Sequence, residues 1–347
     1  MIKKIGNSLK SDFFLLSGAN FLFFFTTGLF FFFPVFLAKI GGTKTFIGFM
    51  MGLPAAIQIF FGLKIRNKID FINKKMILLW SSVLGAIVCL GYFIFPSLYV
   101  VPILRFFNGF VNAIGVAFGL SIAVDLIPAE KRVGNLGLFG VSGALSTLFA
   151  PSLAEFIINN VSHGMVFVTA AIVNVIRIIV VFFISTPTAN NKPKESTPVK
   201  TRDYISIIPL AVISGAVYSA VYNFISHYAK TLHITMIATF AQAHISVMLS
   251  IRLFLNKKMN KWSRKNVILA MHILSVLVLI MGYFLKYYPS IALLIPMGAL
   301  YGIIHGFMYP SLNTLFIETT PKRSGKATII FIVSRNIGIA VFSFICG

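Results

Sequence analysis

Eleven stretches of this chain are apolar over lengths near or above the roughly 20 residues that cross a bilayer, and they limit it to very few folds. They run over 13–37, 45–63, 76–95, 99–124, 136–158, 165–185, 207–228, 234–255, 267–285, 291–317 and 327–347. Hydrophobic residues make up 58% of the chain and charged ones 11%, with 37 Phe, which is more apolar surface than a soluble core of this length can bury. Lipid is therefore the expected solvent. Backbone polar groups in lipid must pair within their own segment, so the expected class is an all-α polytopic membrane protein of about eleven transmembrane helices. The first run follows a lysine-rich start, as a signal peptide would. At 25 residues, with no small-residue cleavage pattern after it, it reads as the first span.

The formal net charge of +22 raises the question of nucleic acid, and the placement of the charges answers it. Of 30 Lys and Arg, 23 fall in the amino terminus or in the loops following even-numbered spans. Four lie on the other side, Lys39, Lys44, Lys230 and Lys286, and three lie within spans, Arg105, Arg177 and Arg335. That asymmetry follows the positive-inside rule and predicts a cytoplasmic amino terminus in the cell (inner) membrane. The basic charge reports topology, and no nucleic-acid partner is expected. Cys89 and Cys346 fall in predicted spans and imply neither disulfide nor metal; no cofactor is expected.

Two loops recur. Lys68-Ile-Asp-Phe-Ile-Asn-Lys-Lys75 returns 190 residues later as Lys258-Met-Asn-Lys-Trp-Ser-Arg-Lys265, and Asp125-Leu-Ile-Pro128 returns 193 residues later as Glu318-Thr-Thr-Pro321. Each of the second pair is followed by an Arg and a Gly, Arg132 and Gly134 or Arg323 and Gly325. Two unrelated loops repeating at nearly one offset point to a duplicated helix bundle. The polar, proline-broken stretch 186–206 reads as a cytoplasmic linker between a six-helix bundle, 1–185, and a five-helix bundle, 207–347. The repeat predicts a twelfth helix, and the chain reaches Gly347 before one. Truncation and a naturally short second bundle both remain open.

At these residues the chain resembles the major facilitator superfamily, and within it the twelve-helix efflux branch related to drug/proton antiporters. The family's loop between helices 2 and 3, Gly-x-Leu-Ala-Asp-Arg-x-Gly-Arg-Arg, is matched at Asp70, Lys74 and Lys75 and departed from at Arg66, Phe71 and Asn73. Its Arg-x-x-Gln-Gly in helix 4 reads Arg105-Phe-Phe-Asn108-Gly109 here. Its helix 5 signature survives as Ser146, Ala150, Pro151 and Ala154, with Glu155 last. The resemblance implies two pseudo-symmetric bundles around a central cavity and a cytoplasmic latch at Asp70, with Lys74, Lys75, Asp125, Arg132 and Pro151 as gating residues.

Arg105 is the sharpest single residue. At the 193 offset Arg105-xxx-Gly109-xxx-Ala113 overlays Gly298-xxx-Gly302-xxx-Gly306, so packing of small residues does not require the charge. An intramembrane charge costs several kcal/mol unless it meets water or a partner, so Arg105 is expected to line a cavity. Polar stripes on spans 1, 4, 7 and 10 carry Ser17, Asn20 and Thr27; Arg105, Asn108 and Asn112; Ser214, Tyr218 and Tyr222; and Gly302, His305 and Tyr309. The candidate pathway is thus Asn20, Arg105, Asn108, Asn112, Tyr218, Tyr222, His305 and Arg335. Asn174 and Arg177 form a similar pair on span 6. His305 is open between packing and solute contact, whereas His244 and His272 read as structural, and no spacing suggests a metal.

Among eight acids only Glu155 lies within a span, near its outer end, so a titrating membrane carboxylate is poorly supplied. Arg105, Arg335 and His305 make the middle electropositive, which favours neutral or anionic organic solutes. The expected function is a monomeric secondary transporter that exports a small organic solute by alternating access, with a proton as the candidate coupling ion. The alternative is a transport-incompetent remnant or a partner-dependent membrane protein. An enzyme is not expected, because no nucleophile, acid and base cluster together.

Overall fold

The computed structural model describes residues 2–65, 72–127, 132–185, 204–255, 262–319 and 324–347, and all regular structure among them is helical. Helix α1 (Ile2–Leu29) passes through a 3-10 turn at Phe30–Phe32 into α2 (Phe33–Lys39). Pro34 sits in the first turn of α2, where a missing N–H costs no intrahelical bond. Gly41, at φ 91, makes the left-handed turn into α3 (Lys44–Ile65). Then come α4 (Lys74–Ile94), α5 (Val101–Leu126), α6 (Arg132–Asn160) and α7 (His163–Phe182). Asn73 caps α4 by accepting from the Met76 N–H at 3.0 Å, and Ser162 caps α7 by accepting from Met165 at 3.3 Å.

Helix α8 (Ile208–Tyr218) breaks into a π-helical turn at Ser219–Asn223 before α9 (Ile225–Thr231). Next, α10 (Ala238–Ser250) ends in a second π turn, Ile251–Leu255. The last three helices are α11 (Arg264–Phe284), α12 (Ile291–Thr319) and α13 (Ser324–Cys346). Eleven spans among the described residues are long and apolar enough to cross a membrane, as expected from the sequence. Large apolar side chains such as Trp80, Ile87, Phe182, Leu269 and Ile273 point outward from them, a surface suited to acyl chains.

Two compact units emerge. The first joins Met1–Phe30 to Phe60–Ser196, and the second joins Phe31–Ile59 to Thr197–Gly347. This grouping departs from a division at the linker, because most of α3 belongs with the carboxy-terminal helices. Small residues are the reason: a Cβ on Gly48 would lie 2.5 Å from the Ser343 carbonyl oxygen and one on Gly52 2.7 Å from that of Ala340, so α3 and α13 run in backbone contact.

Within the first unit α1 lies on α6 and α7, and α4 on α5 and α7. Gly28 lets α1 approach Ala150 and Pro151, where a Cβ would stand 2.7 Å from the Ala150 Cβ. Ser146, Ala150 and Ala154 are fully buried on that face of α6. In the second unit α10 lies on α12 and α8 on α13. Cβ atoms at Gly298 and Gly302 would each come 2.5 Å from a carbonyl oxygen of α10, those of Phe240 and His244. The glycine row of α12 is therefore the surface that admits α10.

Candidate functional site

With Gly298, Gly302 and Gly306 turned toward α10, the neighbouring stripe of α12 carries Tyr301, His305 and Tyr309, four residues apart and so one above another. Their rings follow one another down the helix, Tyr301 stacked on His305 at 6.1 Å and His305 meeting Tyr309 edge to face at 6.0 Å between centroids. From α10, His244 places its Nε2 3.0 Å from the Nδ1 of His305, so one imidazole donates and the other accepts. From α8 and the π turn come Tyr218 and Tyr222, stacked at 5.2 Å. A π turn carries one residue more than an α turn, which re-aims the side chains around it.

Arg335 of α13 completes the group. Its Cζ lies 4.6 Å from the Tyr218 ring centroid and 5.6 Å from that of Tyr309. Guanidinium planes stack well on aromatic faces, and such contacts are worth about 0.5–2 kcal/mol. The Arg335 Nε is buried without a hydrogen-bond partner. A small pocket is lined by Ser214, Tyr301, His305 and Arg335, with Val217, Ile304 and Met308 as its apolar wall. The described carboxylate of this unit is Glu318, in the last turn of α12, 3.5 Å from Arg264. Thirteen residues separate it from His305, about 20 Å along a helix, too far to neutralise the pocket.

The first unit holds a second polar set. The Arg105 Nη1 donates to the Asn108 Oδ1 at 3.1 Å, and the Asn112 amide donates to the same oxygen at 3.4 Å. Tyr92 neighbours the Arg105 guanidinium. On α7, Arg177 is 2% exposed, with its guanidinium 4.8 Å from the Phe23 ring. Asn174 donates to the Ala170 carbonyl at 2.9 Å. Asn20 serves another purpose than its stripe suggests: its amide donates to the Phe139 carbonyl at 3.0 Å and the Ser142 hydroxyl at 3.1 Å, tying α1 to α6. Asn20→Leu is expected to destabilise the protein by about 1–3 kcal/mol, read as a lower Tm, because α1 loses both of its hydrogen bonds to α6, the Phe139 carbonyl keeping only the Ser142 hydroxyl as a side-chain donor.

The repeated loops meet in each unit. Lys74 Nζ donates to Asp125 Oδ2 at 2.7 Å, and Arg264, 190 positions on from Lys74, faces Glu318, 193 on from Asp125. The two echoes in the sequence are thus the two halves of one ion pair, present twice. Lys75 donates to the Phe182 carbonyl at 2.7 Å, closing the end of α7. Pro151 lies inside α6 opposite Gly28. Asp70 falls outside the described residues, as does the side chain of Arg132. Among the described residues no group of three or more His, Cys, Asp or Glu is placed to hold a metal.

Residues 15–343 match the Major Facilitator Superfamily. The chain belongs to this superfamily. An uncharacterised transporter of Buchnera aphidicola subsp. Schizaphis graminum is 30% identical over 160 residues, 44% of this chain and 38% of that protein. The class B tetracycline resistance protein of Escherichia coli is 26% identical over 152 residues, 44% of this chain and 37% of that one. These curated relatives are thus matched over well under half of their own length. The crystal structure of the nucleoside transporter NupG superimposes with a TM-score of 0.78 at 13% identity, covering 96% of this chain and 89% of that one, which shows the shared superfamily fold.

Four of the eight pathway candidates fall in each unit: Asn20, Arg105, Asn108 and Asn112 in the first, Tyr218, Tyr222, His305 and Arg335 in the second. The last four converge on one aromatic and cationic group. Sequence reasoning left Tyr301 out of the α12 stripe and set His244 aside as structural. Spacing could have found Tyr301, four residues before His305, in place of Gly302, which packs on α10. No local signal marks His244 as the partner of His305, because the two lie 61 residues apart.

Proposed function

We propose that this superfamily member is a monomeric secondary transporter that exports a small organic solute by alternating access, with its amino terminus on the cytoplasmic side. The observation that carries the reading is the pocket of Ser214, Tyr301, His305 and Arg335 deep in apolar spans. A guanidinium and an imidazole held on aromatic faces within a membrane segment are costly to keep unless a polar ligand uses them. The excess of Lys and Arg in alternate loops supports the orientation. Likeness to a tetracycline resistance protein supports export over uptake.

Vesicles test both parts. Inverted membrane vesicles from cells expressing the chain should accumulate at least one solute from a panel of uridine, xylose, tetracycline and benzoate when energised, and vesicles without the chain should not. Accumulation in right-side-out vesicles alone would reverse the direction. Accumulation in neither would end the transport reading.

A further inference from the structure

We propose that the Arg335 pocket selects a small organic carboxylate with a flat apolar body, and rejects cations and neutral amides of the same shape. The inference rests on that pocket being the solute site and adds the class of solute. Three features carry it. The first is the fork: the Arg335 Cζ lies 4.6 Å from the Tyr218 ring centroid and 5.6 Å from that of Tyr309, so two aromatic rings flank the guanidinium, whose donors all lie along its planar N–H edge. The Nε at that edge has no protein acceptor. A planar guanidinium with free edge donors matches the two oxygens of a carboxylate, and such charge-assisted pairs are about twice as strong as neutral ones.

The second feature is the sign of the surroundings. His305 lies in the pocket beside Arg335, and the nearest described acid of this unit, Glu318, already faces Arg264 near the end of α12. A cationic solute would meet the Arg335 charge with no carboxylate to offset it, in a medium where repulsion is poorly screened. The third feature is shape. Tyr301 and His305 are stacked, and Val217, Ile304 and Met308 supply the remaining wall, so the surface beside the fork is flat and apolar; the space open there admits about one water, and an aryl group takes its place against the rings when these side chains move apart. Ser214 adds one hydroxyl for orientation.

Three probes of one shape separate charge from everything else: benzoate, benzamide and benzyltrimethylammonium, each added to the purified full chain while its thermal unfolding is followed. Benzoate should raise Tm in a concentration-dependent way, since a ligand of the folded state stabilises by mass action. The other two should leave it unchanged. In the Arg335→Met variant the apparent benzoate affinity should fall about tenfold or more, and Arg335→Lys, which keeps the charge and loses the fork, should recover only part of it. Equal shifts from benzamide or the ammonium, or an undiminished benzoate shift in Arg335→Met, would overturn the proposal. The comparison of probes on the unaltered protein decides the point even if a variant misfolds. Benzoate binding without vesicle accumulation would leave the carboxylate site standing and remove only the transport reading.

Discussion

Gly215→Val is expected to lower Tm by at least about 5 °C and to abolish benzoate binding at Arg335, whereas Gly18→Ala lowers neither. A Cβ at Gly215 would overlap the carbonyl oxygen of Arg335 itself, with the Arg335 carbonyl carbon at 2.9 Å and the Ile339 nitrogen at 3.1 Å. Across the same interface a Cβ at Gly338 would overlap the Val212 carbonyl oxygen, and the Ala216 nitrogen would stand 2.9 Å away. Two reciprocal glycines therefore hold α8 and α13 in backbone contact. The atoms in the way are backbone, so no rotamer change relieves the clash, and the helices must separate. Overpacking of this kind costs about 1–3 kcal/mol and more where nothing can shift. Separation also moves the Arg335 backbone away from Tyr218, which rides on α8, and so breaks the stack that aims the guanidinium. At Gly18 a Cβ meets nothing within 4 Å, and alanine is the better helix former. Unfolding curves and benzoate titrations on the two variants give the comparison; a stable Gly215→Val that still binds benzoate would mean that the crossing of α8 and α13 does not set the site.

The spans were legible because lipid imposes one crude requirement, length of apolar sequence, that no packing detail can override. Each predicted run lies within a few residues of the helix that forms there, including the 24-residue span Ile208–Thr231. What happens inside that span was not legible. Ser219-Ala-Val-Tyr-Asn223 has neither proline nor glycine, yet it winds as a π turn, and the Ser219 and Asn223 side chains both bond the Ser343 hydroxyl, at 2.7 and 3.2 Å, from 124 and 120 residues away. Distant packing, absent from any local pattern, accompanies the irregularity. The site divides the same way. Arg335 and His305 stand out in a sequence because ionisable groups inside apolar runs are costly. Tyr218 and Tyr222 follow from helical spacing. Their assembly with His244 and Tyr301 needs the glycine row of α12 and the reciprocal pair Gly215 and Gly338 between α8 and α13, whose partners no spacing names. The repeat gave the positions of the membrane-edge charges but not that the two echoes pair with each other, since 51 residues separate Lys74 from Asp125.

That duplicated pair offers a comparison in which position within the repeat is held constant while burial, distance and residue type differ. Lys74 and Asp125 are 2.7 Å apart with side chains 7% and 27% exposed, whereas Arg264 and Glu318 are 3.5 Å apart at 23% and 53%. A double-mutant cycle on the first, with Lys74→Met and Asp125→Asn, is expected to give a coupling of about 2 kcal/mol, toward the cost of breaking a buried pair but reduced by the partial exposure of Asp125. The matching cycle with Arg264→Met and Glu318→Gln should give less than about 0.5 kcal/mol, because an exposed carboxylate gains little from a partner it shares with water and salt. Raising salt should erode the second coupling and spare the first, since screening acts on exposed charges. Equal couplings from the two cycles would show that the membrane-edge pairs are held by something both copies share, the loop geometry itself, and that the deeper seat of Lys74 adds nothing to the first unit.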